Sequence, residues 1–388
     1  TIDAGEGADT LRFLDTGSLD FNTVSDVAPF NNVSNFEGLQ IDDVDLNISD
    51  AFLDVFTDNT INVSVPDETD NDTFLFANQV ATNATINVDA SDADQGEFGL
   101  GLNNGTTKFV GTDNDDFVDV STGSFLGSED SLDAEDGFDT LAFNTFSETV
   151  IQASQLEGAQ NFENIFINHD SGVADKDFEL TVDNAFAAAN NDDGDLFISA
   201  DGSRTAGETI EVDASGVSGG IDITATTSDN DDSETTFKLG SGDDRVILGQ
   251  GADTVTLGSG KDDVEFRGPD SDENTIKDFD FGSDTGSNAN IDQFDVDTLG
   301  VDGDGTIAIE SDGGASNTSS VVVLDGQARN DLEQVDDGVS GLFSNTDQVF
   351  VLWQDGLGNV TFGLDSDAGN ANGSGDITAL GTLGGTTI

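Results

Sequence analysis

LGSGDDRVI (Leu239–Ile247), LGQGADTVT (Leu248–Thr256) and LGSGKDDVE (Leu257–Glu265) follow one another without a gap and share the pattern apolar-Gly-x-Gly-x-Asp-x-Val-x. Each position has a physical task. Gly240, Gly242, Gly249, Gly251, Gly258 and Gly260 permit a tight turn, partly at positive φ, that exposes backbone carbonyls. Asp244, Asp253 and Asp262 add carboxylate oxygens to those turns, and Asp243 stands beside Asp244. Oxygen-only donors on a turn suit a hard cation such as Ca²⁺. Val246, Val255 and Val264 are β-branched strand residues whose side chains stack inside a coil. Three copies in strict register predict a parallel β-roll, one turn per nonapeptide.

Composition bounds the rest. The chain has 388 residues, room for two or three domains. Its formal charge of -70, from 80 acidic against 10 basic side chains, excludes an ordinary nucleic-acid surface and an anionic membrane surface. A compact chain this acidic repels itself unless cations neutralise it. Adaptation to saline water would also produce such acidity, and predicts stabilisation by monovalent salt alone. The absence of cysteine removes disulfides and thiolate chemistry. A single histidine, His169, leaves no histidine-based metal cluster, and the sequence places it at a strand end on the surface rather than in a catalytic role. The 28 Phe residues in short alternating runs argue against disorder. No apolar stretch approaches the roughly 20 residues that span a bilayer, so membrane insertion is not expected, and no basic-then-apolar segment opens the sequence.

A longer repeat underlies the nonapeptides. TIDAGEGADTLRF from Thr1 aligns without gaps on SLDAEDGFDTLAF from Ser131. VSNFEGLQI from Val33 matches AQNFENIFI from Ala159, TINVDAS from Thr85 matches TIEVDAS from Thr209, and TTKFVGTDNDDFV from Thr106 is echoed by TTFKLGSGDDRV from Thr235. This tandem pattern divides the chain into a first β module at 1–105, incomplete at its start, a second at 106–234, the nonapeptide roll at 235–268 and a C-terminal flanking region at 269–388. Short alternating strands such as DTLRF, DTLAF, INVSV, ELTV and LFISA, punctuated by Gly, Asp, Asn and Ser, predict an all-β fold. Asn184–Asn190 is expected to form one helical turn and Arg329–Phe343 a weak helix. FVLWQDGLGNVTFGL from Phe350 predicts a hairpin turning at Gly358 and Asn359, with Trp353 in its core.

These residues resemble the RTX family of secreted bacterial proteins, and the D-G-x-D-T-L turn with its later N-F-E strand is similar to repeats of RTX-containing surface-layer proteins. The resemblance is strong over Lys238–Val296, moderate over the two modules and weak beyond. It implies calcium bound between neighbouring coils, export by a type I secretion system through an uncleaved C-terminal signal, folding outside the cell when calcium is met, and a location at the bacterial surface. Leu239, Leu248 and Leu257 depart from the family, which usually has glycine there.

Candidate calcium ligands outside the array follow from the modules. Asp3, Glu6 and Asp9 form one acidic turn and Asp133, Asp136 and Asp139 its partner, where Glu135 replaces Gly5. Asp115 and Asp116 occupy the turn equivalent to Asp243 and Asp244, and Asp278 and Asp280 follow the roll. Asp302, Asp304 and Ile307 do not make an EF-hand, because Ser311 stands where the bidentate Glu belongs.

The leading functional expectation is a calcium-loaded extracellular structural protein whose partner is a second copy of itself, added head to tail into a layer, sheath or filament. The alternative is a calcium-stiffened adhesin or spacer that binds a cell-surface glycan. Catalysis is not expected: neither His-Glu-x-x-His nor Gly-x-Ser-x-Gly occurs, and basic and imidazole groups are scarce. Acidic pairs such as Asp192 and Asp193 are the residual enzymatic candidates.

Overall fold

The computed structural model describes residues 2–14, 17–21, 30, 32–42, 44–66, 73–79, 84–93, 96–102, 105–121, 126–127, 129–145, 147–169, 177–191, 194–201, 209–227, 234–267, 274–280, 292–295, 307–309, 321–329, 332, 334–335, 348–355, 357–366 and 377–384. Short helical segments apart, the described elements are strands, and most strand pairs are parallel. A strand pairs with the strands one coil earlier and one coil later, which makes a β-solenoid of the β-roll kind. The chain divides into two compact units, residues 1–169 with 180–198, and 170–179 with 199–388.

In the first unit the chain alternates between two parallel sheets. One runs through Leu19–Asp20, Asp45–Ser49, Thr73–Gln79, Phe98–Gly101, Phe117–Ser121, Thr140–Thr145 and Asn164–His169; the other runs through Thr10–Leu14, Gly38–Asp42, Thr60–Ser64, Thr85–Asp89, Thr106–Val110, Ser131–Asp133 and Ala159–Gln160. Period-2 alternation turns one set of side chains inward from each sheet. Leu46, Leu75, Leu100, Val118, Leu141 and Ile165 therefore stack in cross-strand register, as do Leu39, Val63, Val88, Phe109 and Leu132 on the other sheet. All are buried. Each contributes about 1.5–3 kcal/mol by leaving water.

The second unit is built the same way around the nonapeptides. Val246 pairs with Val264, whereas Val255 pairs with Phe237 and Ile276 in the other sheet. Successive nonapeptides thus lie on opposite sheets, and a full coil takes two of them. Beyond Asn274–Lys277 this second sheet gains Ile377–Gly384 in parallel, then Val360–Asp365 and Val349–Asp355 as antiparallel strands. The hairpin expected from Gly358 and Asn359 is present: Gly358 has φ +92, and the Asp355 N–H donates to Asn359 O at 2.9 Å. Trp353 is buried with Leu324, Val335, Val349, Val351 and Ile377.

The alanine-rich segment forms the helix Asn184–Ala189, capped by Asp183 Oδ1, which accepts the N–H groups of Ala185 and Phe186. Of the weak C-terminal helix, Arg329 instead ends the strand Val321–Arg329, while Leu332, Gln334 and Val335 are helical. His169 differs from expectation: it is a strand-end residue but fully buried, its Nδ1 2.9 Å from Thr145 Oγ1. The strand's alternation, with Ile165 and Ile167 inward, carries it to an inward position. Asp192, Asp193, Asp302, Asp304 and Ser311 lie outside the described residues. Among the described residues no helix is long and apolar enough to cross a membrane.

Candidate metal centre: buried carboxylate ladders

The turn aspartates stack on one another from coil to coil. In the first unit the Asp116 carboxylate accepts the N–H groups of Phe98 at 2.8 Å and Thr112 at 2.7 Å. The Asp116 N–H donates to Asp139 Oδ1 at 2.5 Å, and the Asp139 N–H donates to Glu163 Oε2 at 2.9 Å. A parallel outer contact joins the Phe138 N–H to Asp115 Oδ1. Glycines allow this approach: a Cβ on Gly111 would lie 2.3 Å from Asp116 Oδ2, and one on Gly137 would lie 2.6 Å from Asn114 O.

The nonapeptide array repeats the arrangement. Asp244 Oδ1 accepts the Ile223 N–H at 2.7 Å, the Asp244 N–H donates to Asp262 Oδ1 at 2.9 Å, and the Asp262 N–H donates to Asp292 Oδ1 at 3.1 Å. Beside it, Asp222 Oδ1 accepts the Asp243 N–H and Asp243 Oδ1 accepts the Lys261 N–H. Asp253 belongs to the opposite column, where its carboxylate accepts the Thr235 N–H and the Thr227 hydroxyl, and its own N–H donates to Asn274 Oδ1. Turn carbonyls face the next coil's glycines: a Cβ on Gly258 would meet Gly240 O at 2.1 Å and one on Gly260 would meet Gly242 O at 1.8 Å. In the opposite column the Gly249 N–H donates to Thr227 Oγ1, and Gly251 has φ +112.

The tandem match extends to these contacts. Asp3 accepts from the Asn35 side chain as Asp133 accepts from that of Asn161, and the Asp9 N–H donates to Glu37 as that of Asp139 does to Glu163. Asn35 and Asn161 both adopt positive φ, as do Gly5 at +95 and Glu135 at +70. Glu6, Asp136 and Asp278 are exposed and outside the ladders. Asp280 joins through its N–H, which donates to Asp292 Oδ2. Sequence reasoning missed Glu37, Glu163, Asp222 and Asn274 as ladder members; the N-F-E repeat carried the signal for the first two.

Burial raises these acids. It pushes Asp116 up to about 6, and Asp244 and Asp262 up to about 7, against the opposing pull of backbone N–H groups. Asp139 goes up to about 8, with Asp116, Glu163 and Asp115 adding repulsion to its burial. Asp139 and Asp244 are fully buried, yet among the described residues Oδ2 of each has no partner in hydrogen-bond geometry, although the Gly240 N–H also favours the ionised Asp244 carboxylate. Such an atom is costly unless something pairs with it.

The ladder itself does not require charge. Asn274 Oδ1 accepts the Asp253 N–H and Asn190 Oδ1 accepts the Phe162 N–H in the same geometry. The carboxylates at 116, 139, 244, 253 and 262 therefore exceed what coil stacking needs. Among the described residues no three acidic or histidine side chains converge as a ready-made metal cluster, so a cation would take carboxylate and turn-carbonyl oxygens together. The oxygen-only donor set and the orphaned Oδ2 atoms fit calcium. No protein-family model matches the chain, and no curated protein or solved structure matches it significantly.

Proposed function

We propose that this is an extracellular structural protein that loads calcium into its coil turns and self-assembles into a layer, sheath or filament. The observation that carries the calcium part of the reading is the set of buried carboxylates whose Oδ2 atoms at Asp139 and Asp244 lack a partner in hydrogen-bond geometry among the described residues. Asp116, Asp139, Asp244 and Asp262, with Asp253 in the opposite column, would hold the ions, helped by the carbonyls of Gly240 and Gly242. Calcium would supply the positive charge that keeps these acids ionised inside a chain of net charge -70.

Assembly is supported by a sheet end. Thr10–Leu14 in the first unit has one neighbour among the described strands. Its outer N–H and C=O groups can add a strand from another chain. Light scattering tests this as calcium is titrated into chelator-treated full-length chain at fixed sodium chloride. Growth into large ordered particles supports the reading. A monomer that responds to calcium without growing favours the spacer or adhesin alternative, and no response to calcium removes the premise.

A further inference from the structure

Basic side chains are concentrated where the nonapeptides are. The first unit carries 38 acidic side chains against two basic ones, Arg12 and Lys108, whereas residues 238–277 carry nine against five, half of the ten in the chain. The strand ends of the sheet that holds Val255 show the change residue by residue. Asp213, Lys238, Thr256 and Lys277 stand in direct register there. In the first unit the tandem equivalent of Asp213 is Asp89, and its row continues through Val110 to Asp133. Past that shared acid, the same place in the coil adds a further acid in the first unit and two lysines in the second.

Which of these charges are open follows from their bonds. Lys238 is held by Glu211 and Asp213 of its own face. Lys277, and Lys261 in the turn that leaves Thr254–Thr256, are exposed and make no ion pair among the described residues. On the acidic side, both Asp133 oxygens already accept amide N–H groups, from Asn161 and Gln160. Asp113 and Glu135, in the turns after Thr106–Val110 and Ser131–Asp133, are exposed, and their carboxylates accept no hydrogen bond among the described residues. Partial burial, then repulsion by Asp133 and Asp113, raises the Glu135 carboxyl above its ordinary value, so this row repels itself. Each pair, the two lysines and the two acids, lies on neighbouring coils, one strand spacing of about 4.8 Å apart along the coil axis. Two cations of one chain can therefore meet two acids of another in register.

We infer that the edge bearing Lys261 and Lys277 docks on the turn row bearing Asp113 and Glu135 of a second copy of this chain. The contact rests on the calcium-dependent self-assembly proposed above and names its partner surfaces. Because the two surfaces differ, it is heterologous, the kind of contact that builds open filaments. Calcium controls it: Asp244 and Asp262 belong to the same nonapeptide turns as these lysines, and ions held there remove negative charge that otherwise offsets the cations.

The test is sedimentation of the full chain in saturating calcium at one sodium chloride concentration, with calcium uptake followed by equilibrium dialysis. Wild-type chain should assemble, whereas Lys261→Glu with Lys277→Glu, and separately Asp113→Lys with Glu135→Lys, should each cut the assembled fraction about tenfold or more through like-charge contact. An equimolar mixture of the two double variants should restore assembly, because each supplies the charge that the other lacks. Calcium uptake should stay at the wild-type level; Lys277→Glu alone, outside the ladder turns, carries the test if either pair lowers it. Assembly of either double variant to the wild-type extent overturns the inference and leaves the self-assembly reading standing. So does a mixture that stays unassembled while both variants load calcium. Wild-type chain that never assembles overturns both.

Discussion

With calcium chelated, this protein's stability should fall as pH rises, and the fall can be sized from Asp244. Its carboxyl rises from the ordinary 3.8 to about 7. At about 1.4 kcal/mol per pH unit, that is on the order of 4 kcal/mol between the protonated and ionised buried group. Asp262 is raised to a similar value and is bonded to Asp244 through the latter's N–H, so the two titrate together and their effects do not simply add. The sign follows from the direction of the shift. A folded-state value above the unfolded one gives stability that is complete below about pH 4 and lost as pH rises through about 7, or about 8 at Asp139. Exposed acids have finished titrating by about pH 6, so the window above it isolates the buried ones. Calcium needs the ionised carboxylates, so its stabilisation should grow across the same window.

Urea denaturation at about pH 6 and about pH 8, with chelator or with saturating calcium at one sodium chloride concentration, measures both limbs. The chelated protein should be the less stable at the higher pH, and calcium should abolish the difference. Asp244→Asn supplies the control: its amide oxygen can still accept the Ile223 N–H, as Asn274 accepts that of Asp253. It should stabilise the chelated protein at the higher pH and shrink the calcium increment. Chelated stability that is flat or rising between the two pH values would refute the reasoning, as would a calcium increment independent of pH.

Gly258→Ala should cost about 2–4 kcal/mol in the same denaturation assay, because the residue has φ +93 and its Cβ would lie 2.1 Å from Gly240 O. Gly219→Ala, at φ +88 but with open space around it, should cost only about 1 kcal/mol, which separates backbone strain from collision. Asn190→Ala removes an acceptor for the Phe162 N–H and donors to Ala159 O and Phe186 O, all buried; a loss of about 2–3 kcal/mol is expected, read as a shift of the urea midpoint. The single tryptophan, Trp353, is buried in the C-terminal cluster. Its emission should be blue-shifted when folded, and its red shift on denaturation should report the opening of that cluster.

The sequence by itself determined the coil. Glycine at two fixed places, aspartate two residues after the second and valine two residues later leave one economical conformation, because each residue type meets a local backbone or packing requirement that spacing alone reveals. The D-G-x-D-T-L and N-F-E repeats likewise fixed which turns are equivalent, down to the paired roles of Asp3 with Asp133 and Glu37 with Glu163. Tertiary structure decided what those acids meet. Adjacent nonapeptides look like neighbours in the chain, but the solenoid puts Asp253 in one column and Asp244 with Asp262 in the other, since the partner of each turn is a full coil away. The contact of His169 with Thr145, the orphaned Oδ2 atoms and the rings of Phe74 and Phe76 over glycine depend on residues about 20 to 30 positions distant. No local pattern carries that information, because it arises only when coils stack.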